Sequence, residues 1–334
     1  MAEFAAPQRG SFFHYLLENV CREVRSGGGF AAVTGETLRA LTRKYAEAYV
    51  AESFKPAQLR DKRFAYLFRR LCDTAENIVL EMAEQLAAGD FLPLDFELDI
   101  SDRGGELPPL DLGGVLVEGK VDRVDGWADG EQLYLCVADY KSGPKEFRLS
   151  DVCEGQTIQM LIYLFLLTSE GQERYGKRIV PGGVLYLPAR DKTVSLPRSS
   201  TEEEIRKARA AELKISGLML DDPDMLHARD RSQPPRYLPV SFKDGVPVKG
   251  VADLRRMGEL DSFVRGLLRR MGEELRAGKA EASPLAHYGS EDPCRYCEYG
   301  RVCGFDPKRQ EKRLIRRMTD GEFWELAEKE AAHG

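Results

Sequence analysis

The chain of 334 residues has no surplus of basic side chains: 49 Lys and Arg stand against 55 Asp and Glu, for a formal net charge of −6. Sequence-independent binding of nucleic acid rests on neutralising phosphates with Lys and Arg, so this balance argues against a general nucleic-acid coat. Screening over ~10 Å makes local patches count for more than the total. Two patches exist, Arg60–Arg70 (RDKRFAYLFRR) and Lys308–Arg317 (KRQEKRLIRR), each read first as a solvated helix face. Long hydrophobic runs are also missing. The longest, Met160–Leu167 (MLIYLFLL), falls far short of the ~20 residues that span a bilayer, and no membrane role is expected. The start MAEFAAPQRG lacks a basic region followed by an apolar run, so a cytoplasmic location is expected. There is no internal repeat and no phosphate loop. Gly171–Arg178 (GQERYGKR) comes near one, but Arg178 stands where a magnesium-holding Ser or Thr belongs, and the segment leads from helix to strand. No ATP site is expected here.

What is present centres on Glu118–Lys141. Two alternating segments, Val115–Val124 and Gln132–Tyr140, flank the turn-rich Gly126-Trp127-Ala128-Asp129-Gly130, a β-hairpin pattern. With a strand period of two, Glu118, Lys120 and Asp122 share one face, and Val117, Gly119, Val121 and Arg123 the other. Asp139 and Lys141 likewise share a face. Charges inside strands cost free energy unless paired or metal-bound, so Asp122, Asp139 and Lys141 call for more than solvation.

Around this hairpin, Ser11 to about Arg25 has helical spacing, with Phe13, Leu16, Leu17, Val20 and Val24 as its apolar stripe. His14 lies beside that stripe, and spacing alone favours a core or edge histidine. The Ser26–Gly29 run ends the helix, and Thr34 can cap the next. Two or three helices follow to about Ala88, broken near Lys55-Pro56, as a lobe against the sheet. Phe91–Ile100 alternates as a strand, with Asp95, Glu97 and Asp99 on one face. Glu97 is either a further acid for the site or an exposed edge-strand residue. Ser150 is expected to cap a helix to about Ser169 that carries Gln156, Gln159 and Tyr163. Gln159 and Tyr163, four apart, share a face among apolar neighbours. Ile179–Pro188 is a strand that completes a crossover unit. Helices are expected over Ser200–Ser216 and Val251–Ala277, separated by a loop around Asp221–Pro239. From about Ser283 comes a Pro-, Tyr- and Cys-containing segment and a basic, helix-prone tail.

Two carboxylates on adjacent strands with a lysine two residues on suit phosphodiester hydrolysis. They can hold a hard cation such as Mg²⁺, while Lys141 orients a water or stabilises developing charge. Of the seven cysteines, Cys21, Cys72, Cys136 and Cys153 are scattered, and Cys294, Cys297 and Cys303 cluster as C-x-x-C-x5-C. In a reducing compartment such a cluster suggests a metal.

GKVDRVD, ADYKSG and QMLIY, with a G-x-x-x-H element at Gly10–His14, resemble the RecB-type branch of the PD-(D/E)xK nucleases. CRYCEYGRVC narrows the likeness to the nuclease domains of the B subunits of AddAB-type helicase–nucleases, over about Gly10–Asp306. The resemblance implies an α/β fold with a central mixed sheet flanked by helices and an N-terminal helical lobe. It divides the chain into a lobe at 1–90 carrying His14, a nuclease core at 91–282, and a cysteine-containing tail with a basic helix at 283–334. It implies a DNA exonuclease dependent on Mg²⁺ or Mn²⁺, working with a helicase–nuclease A subunit in double-strand-break repair. By the same resemblance His14, Asp122, Asp139 and the carbonyl of Tyr140 are metal ligands. Lys141 is the catalytic lysine, Gln159 and Tyr163 form the Q-x-x-x-Y pair, and Glu97 matches an upstream acid.

The three clustered cysteines would hold a [4Fe–4S] cluster with a fourth cysteine upstream of the histidine helix. No cysteine precedes Cys21, so the expectation is a fragment lacking that ligand or, as the alternative, Cys21, Cys72 or Cys153 in its place. Zinc with His287 competes, and an unmetallated thiol group with a mobile tail is the plain reading. Two other functions remain open: a stand-alone RecB-like nuclease of the CRISPR-associated type, and a non-catalytic DNA-binding or assembly module.

Overall fold

In a computed structural model of the chain, residues 6–55, 61–141, 143, 145–190, 197, 199–201, 203–204, 208, 214–287, 292–316 and 318–332 are described. Three helices come first: α1 (Ala6–Ser26), α2 (Gly35–Ser53) and α3 (Lys62–Ala87). The apolar stripe of α1 is buried as its spacing requires, with Leu16, Leu17 and Val20 fully enclosed and Phe12 and Cys21 added to it. Thr34 caps α2 by accepting from the Thr37 N–H at 3.2 Å. The expected break at Pro56 lies outside the described residues.

Strands β1 (Leu92–Ile100), β2 (Leu110–Asp111), β3 (Leu116–Val117), β4 (Gly119–Asp129) and β5 (Gln132–Lys141) follow. After them come α4 (Leu149–Cys153), α5 (Gln159–Tyr175), β6 (Arg178–Pro188), β7 (Ser216–Leu220), α6 (Pro223–Arg229), β8 (Ser241–Lys243), β9 (Val246–Lys249), β10 (Val251–Ala252) and α7 (Leu254–Arg276). The last elements are β11 (Leu285–Ala286), β12 (Arg313–Leu314) and α8 (Asp320–Ala331). Six strands form one mixed sheet in the order β1-β4-β5-β6-β7-β10, an α/β fold of the expected class. The β5/β6 and β7/β10 pairs are parallel, and β1/β4, β4/β5 and β6/β7 antiparallel. The parallel β5/β6 pair is bridged by α5, as the crossover reading required. Every residue of α5 from Met160 to Leu167 is buried, and a helix apolar on all sides belongs inside. Each such Leu or Phe contributes ~1.5–3 kcal/mol. Among the described residues no helix is long and apolar enough to cross a membrane.

Several expectations change. The hairpin turn is tighter and later than its composition suggests. Gly126 to Asp129 stay in β4, Asp129 pairs with Gln132, and only Gly130 (φ +53°) and Glu131 turn the chain. Trp127 remains extended because its ring packs on Tyr134 across the hairpin, 5.2 Å between centroids. At the other end the segment from Val115 breaks at Glu118, whose carboxylate accepts from the Asp102 N–H at 3.2 Å. The single helix expected from Ser150 is two. Its chain turns at Gly155 (φ +77°) and Thr157 (φ +57°), which leaves Gln156 outside any helix. Arg148, not Ser150, stands at the first cap. The loop around Asp221–Pro239 contains α6, capped by Asp222 with Pro223 in its first turn. Ser216 opens β7, and most of the helix expected before it lies outside the described residues. The basic stretch Lys308–Arg317 is not helical where described; the helix comes later, at α8, and its segment DGEFWELAEKEA is acidic. A capping box at Thr319 and Glu322 sets its start.

Candidate active site

Strand β4 presents two different chemistries on its two faces. The inward face carries Arg123 and Asp125, both fully buried. Arg123 donates to Asp125 at 2.8 Å and to the Tyr140 hydroxyl at 2.6 Å, and Arg229 of α6 donates to the same carboxylate at 2.8 Å. The Tyr140 hydroxyl in turn lies 3.3 Å from Met82 Sδ of α3. Burial alone would push the Asp125 carboxyl up, and the charges of Arg123 and Arg229 overcome it, holding it below its ordinary range.

The other face carries Asp122. In the β1/β4 ladder Phe96 pairs with Arg123 and Leu98 with Val121, so Glu97 stands across from Asp122. Glu97 has φ +51°, a conformation that costs a residue with a side chain, on the order of 1 kcal/mol or more. From α1, His14 reaches the same spot: its Nδ1–H donates to Glu97 Oε1 at 3.2 Å and lies 3.4 Å from Asp122 Oδ2. These three residues form the one group of three or more closely spaced His, Cys or carboxylate ligand atoms among the described residues. Beside them opens a cavity of about 430 Å³ lined by Gly10, Ser11, His14, Tyr15, Glu18 and Glu97.

The rest of the predicted set lies on β5, next to Asp122, and at the start of α5. The β4/β5 ladder is recorded up to Arg123 and Ala138, and Asp122 and Asp139 are the next residues beyond that pair. The Tyr140 N–H donates to Asp122 Oδ2 at 3.1 Å, tying the strands together at the site. Asp139 Oδ2 is buried and lies 2.6 Å from Lys141 Nζ, off the geometry of a hydrogen bond. It is not part of the close group of three. Burial and then the Asp139 charge push the Asp122 carboxyl up to about 7, against the opposing pull of His14. The hydrogen bond to Glu97 raises His14, with the charges of Asp122, Glu97 and Asp139 adding to it and burial opposing.

Gln159, at the start of α5, donates to the Tyr163 hydroxyl at 3.1 Å. That hydroxyl approaches β4 so closely that a Cβ at Gly119 would come within 2.2 Å of it, which explains why a glycine opens that strand.

Glu97 is the residue that spacing left undecided. Its parity with Asp95 and Asp99 was visible, but its place opposite Asp122 depends on which strand β1 joins.

The cysteines are arranged differently. Cys294 and Cys297 lie on or beside two short 3₁₀ turns (Pro293–Tyr296 and Glu298–Arg301), Cys297 and Cys303 are exposed, and the three thiols are not gathered as the ligands of a single ion. Cys21 is sealed in the core with Sγ 3.4 Å from Met82 Sδ, and burial pushes its thiol up to about 12, so it is no substitute ligand for a surface cluster. Cys72 is likewise pushed up to about 12 by burial.

Comparison with known proteins adds to this geometry. The B subunit of an ATP-dependent helicase/deoxyribonuclease from Clostridium acetobutylicum is 30% identical over 337 residues, covering 97% of this chain and 29% of that protein. The corresponding protein of Symbiobacterium thermophilum is 30% identical, with 97% and 29% covered, and that of Alkaliphilus oremlandii 31%, with 98% and 30% covered. The chain therefore spans less than a third of the length of these relatives. A nuclease family description matches residues 1–304, nearly the whole chain and all of the acidic site. With its His14, Glu97 and Asp122 gathered beside Asp139 and Lys141, the chain belongs to the PD-(D/E)XK nuclease superfamily.

Proposed function

We propose that the chain is the nuclease portion of an ATP-dependent helicase–nuclease, a DNA exonuclease dependent on Mg²⁺ or Mn²⁺ that acts in recombinational double-strand-break repair. The observation that carries this reading is the convergence of His14, Glu97 and Asp122 beside the Asp139–Lys141 pair. The donor set is hard, carboxylate oxygens with one imidazole, and three of its ligand atoms lie close together, so these residues fit a divalent cation. Asp122, Asp139, His14 and the Tyr140 carbonyl would hold it, with Glu97 joining them. When bound, such a cation supplies Lewis-acid polarisation of the phosphoryl group and a more acidic water.

The chain's own groups do the remaining work. Lys141, held beside Asp139, brings a positive charge to the attacking water and to the oxygens that gain charge as the phosphodiester opens. Tyr163, fixed by Gln159, places its hydroxyl at the start of β4, where it can orient the strand being cut. His14 is held in one ring orientation by its contact with Glu97, which keeps Nδ1 beside the carboxylates.

DNA is the substrate and a helicase A subunit the partner in this reading, because the relatives are named helicase/deoxyribonuclease subunits. A cytoplasmic setting and the division at 1–90, 91–282 and 283–334 belong to the same proposal. The C-x-x-C-x5-C spacing supports a [4Fe–4S] cluster at Cys294, Cys297 and Cys303, with a fourth thiolate from elsewhere. No step of the reaction uses it. Colour and iron content after anaerobic purification test the cluster; an iron-free, colourless product counts against it. Digestion of single strands labelled at the 5′ or the 3′ end, with and without Mg²⁺, tests the activity. Metal-dependent loss of label supports it, and binding without cleavage under Mg²⁺ and Mn²⁺ alike favours a non-catalytic module.

A further inference from the structure

Across β5 from the acids, β6 carries Tyr186, the register partner of Asp139. Paired residues of neighbouring strands project from the same face, so the Tyr186 ring stands on the pocket side of the sheet. The ring is buried, and burial followed by the charges of Asp139 and Asp151 pushes its hydroxyl well up, leaving a neutral aromatic surface.

Two ammonium groups meet at this ring. Lys141 Nζ lies 5.9 Å from its centroid, and Lys145 Nζ, from the loop after β5, also lies 5.9 Å from it. That is within the range of a cation–π contact. The two lysines differ in their partners. Lys141 is ion-paired with Asp139, whereas Lys145 is exposed and, among the described residues, no carboxylate pairs with it. With Lys141 balanced by Asp139, Lys145 is the ammonium at this ring that is open to an external anion. A nucleic-acid strand brings one phosphate per nucleotide, so a strand whose scissile phosphate lies at Lys141 presents its neighbour nearby.

We propose that Lys145 is a phosphate-binding residue of the active site, holding the phosphodiester next to the one that Lys141 serves, with Tyr186 as the positioning platform shared by both ammonium groups. The inference rests on the nuclease reading for its substrate class. Lys145 contributes binding and register along the strand, and Lys141 contributes to the chemistry.

The test uses single-stranded oligonucleotides in which one phosphodiester at a time is replaced by an uncharged methylphosphonate. Binding is measured by fluorescence anisotropy in EDTA, and cleavage with Mg²⁺. Lys145→Ala is expected to weaken binding about tenfold and to lower the slope of log affinity against log salt by about 0.7, the value for one phosphate contact to a single strand. Lys145→Arg should retain most of the affinity. In cleavage the Ala variant should raise KM about tenfold and leave kcat within about twofold. The chain itself should lose affinity at one methylphosphonate position, and Lys145→Ala should lose nothing further there. Tyr186→Phe should behave as the parent chain and Tyr186→Leu as Lys145→Ala.

Unchanged binding by Lys145→Ala, or a methylphosphonate penalty that persists in full in that variant, overturns the assignment. A chain that binds DNA but never cuts it overturns the nuclease reading instead, and the anisotropy cycle still decides the role of Lys145.

Discussion

Asp122 and Asp125 lie three residues apart on one strand and live in opposite electrostatic worlds. Asp125, fully buried, is matched inside the protein by Arg123 and Arg229 at 2.8 Å and is held below the ordinary carboxylate range. Asp122 faces Glu97 and Asp139 with one imidazole between them, and is pushed up to about 7. The first face spends its charges on holding α6, β4 and β5 together. On the second, Lys141 pairs with Asp139 and Lys120 stands 3.9 Å from Glu97, but Asp122 has only the imidazole beside it, which favours an external cation. The alternation of a strand lets one segment, Asp122-Arg123-Val124-Asp125, do both without compromise.

The contrast can be broken from either side. The largest expected effect is on catalysis: Asp139→Ala or Lys141→Ala should lower metal-dependent cleavage of single-stranded DNA on the order of 10²–10³-fold or more, with circular dichroism unchanged. Full activity in either variant would remove these residues from the site. Next comes stability. Asp125→Asn leaves two buried guanidinium groups without their shared anion and should cost about 3–5 kcal/mol in urea unfolding. A cost under ~1 kcal/mol would mean the inward network is not holding the strands.

The opposite sign is expected across the strand. Asp122→Asn relieves the crowding of carboxylates and should raise the melting temperature of metal-free protein by about 2 °C or more. Mn²⁺ should stabilise the parent chain but not this variant. A lower melting temperature for metal-free Asp122→Asn would show that Asp122 is matched after all.

The smallest effect concerns Asp95, a matched acid at the surface. Burial pushes its carboxyl up, but hydrogen bonds from Arg174 and Tyr175 outweigh this and hold it below 3.8. A lowered carboxyl stabilises the fold at pH values above its unfolded value, and that contribution is lost as pH falls through the folded value. Asp95→Asn should therefore be less stable than the parent by about 1 kcal/mol or less at neutral pH, and equal to it in strong acid. A difference that persists in strong acid would assign the effect to packing.

Local order was legible where periodicity and caps agree. The stripe of α1, the cap at Thr34 and the crossover through α5 all follow from neighbours in sequence. The turn between β4 and β5 was not, because Trp127 is held extended by Tyr134 across the hairpin, and composition alone reads Gly126–Gly130 as a turn. The split between α4 and α5 was not read either, since the single Gly155 between apolar segments does not by itself signal the left-handed backbone that it and Thr157 adopt.

By itself the sequence determined which residues can share a face: the parity that puts Asp122 opposite in face to Arg123, the D-x-K spacing of Asp139 and Lys141, and the Gln159–Tyr163 spacing. These are consequences of the strand and helix periods, which act over a few residues. Only the tertiary structure decided which of these groups meet. His14 comes from 108 residues before Asp122 in the chain and could have been a core histidine; β1 brings Glu97 opposite Asp122, and β6 brings Tyr186 beside Asp139 and beneath Lys145. Strand order and register are set by burial of the whole sheet rather than by local preference, so the membership of the site is a property of the fold.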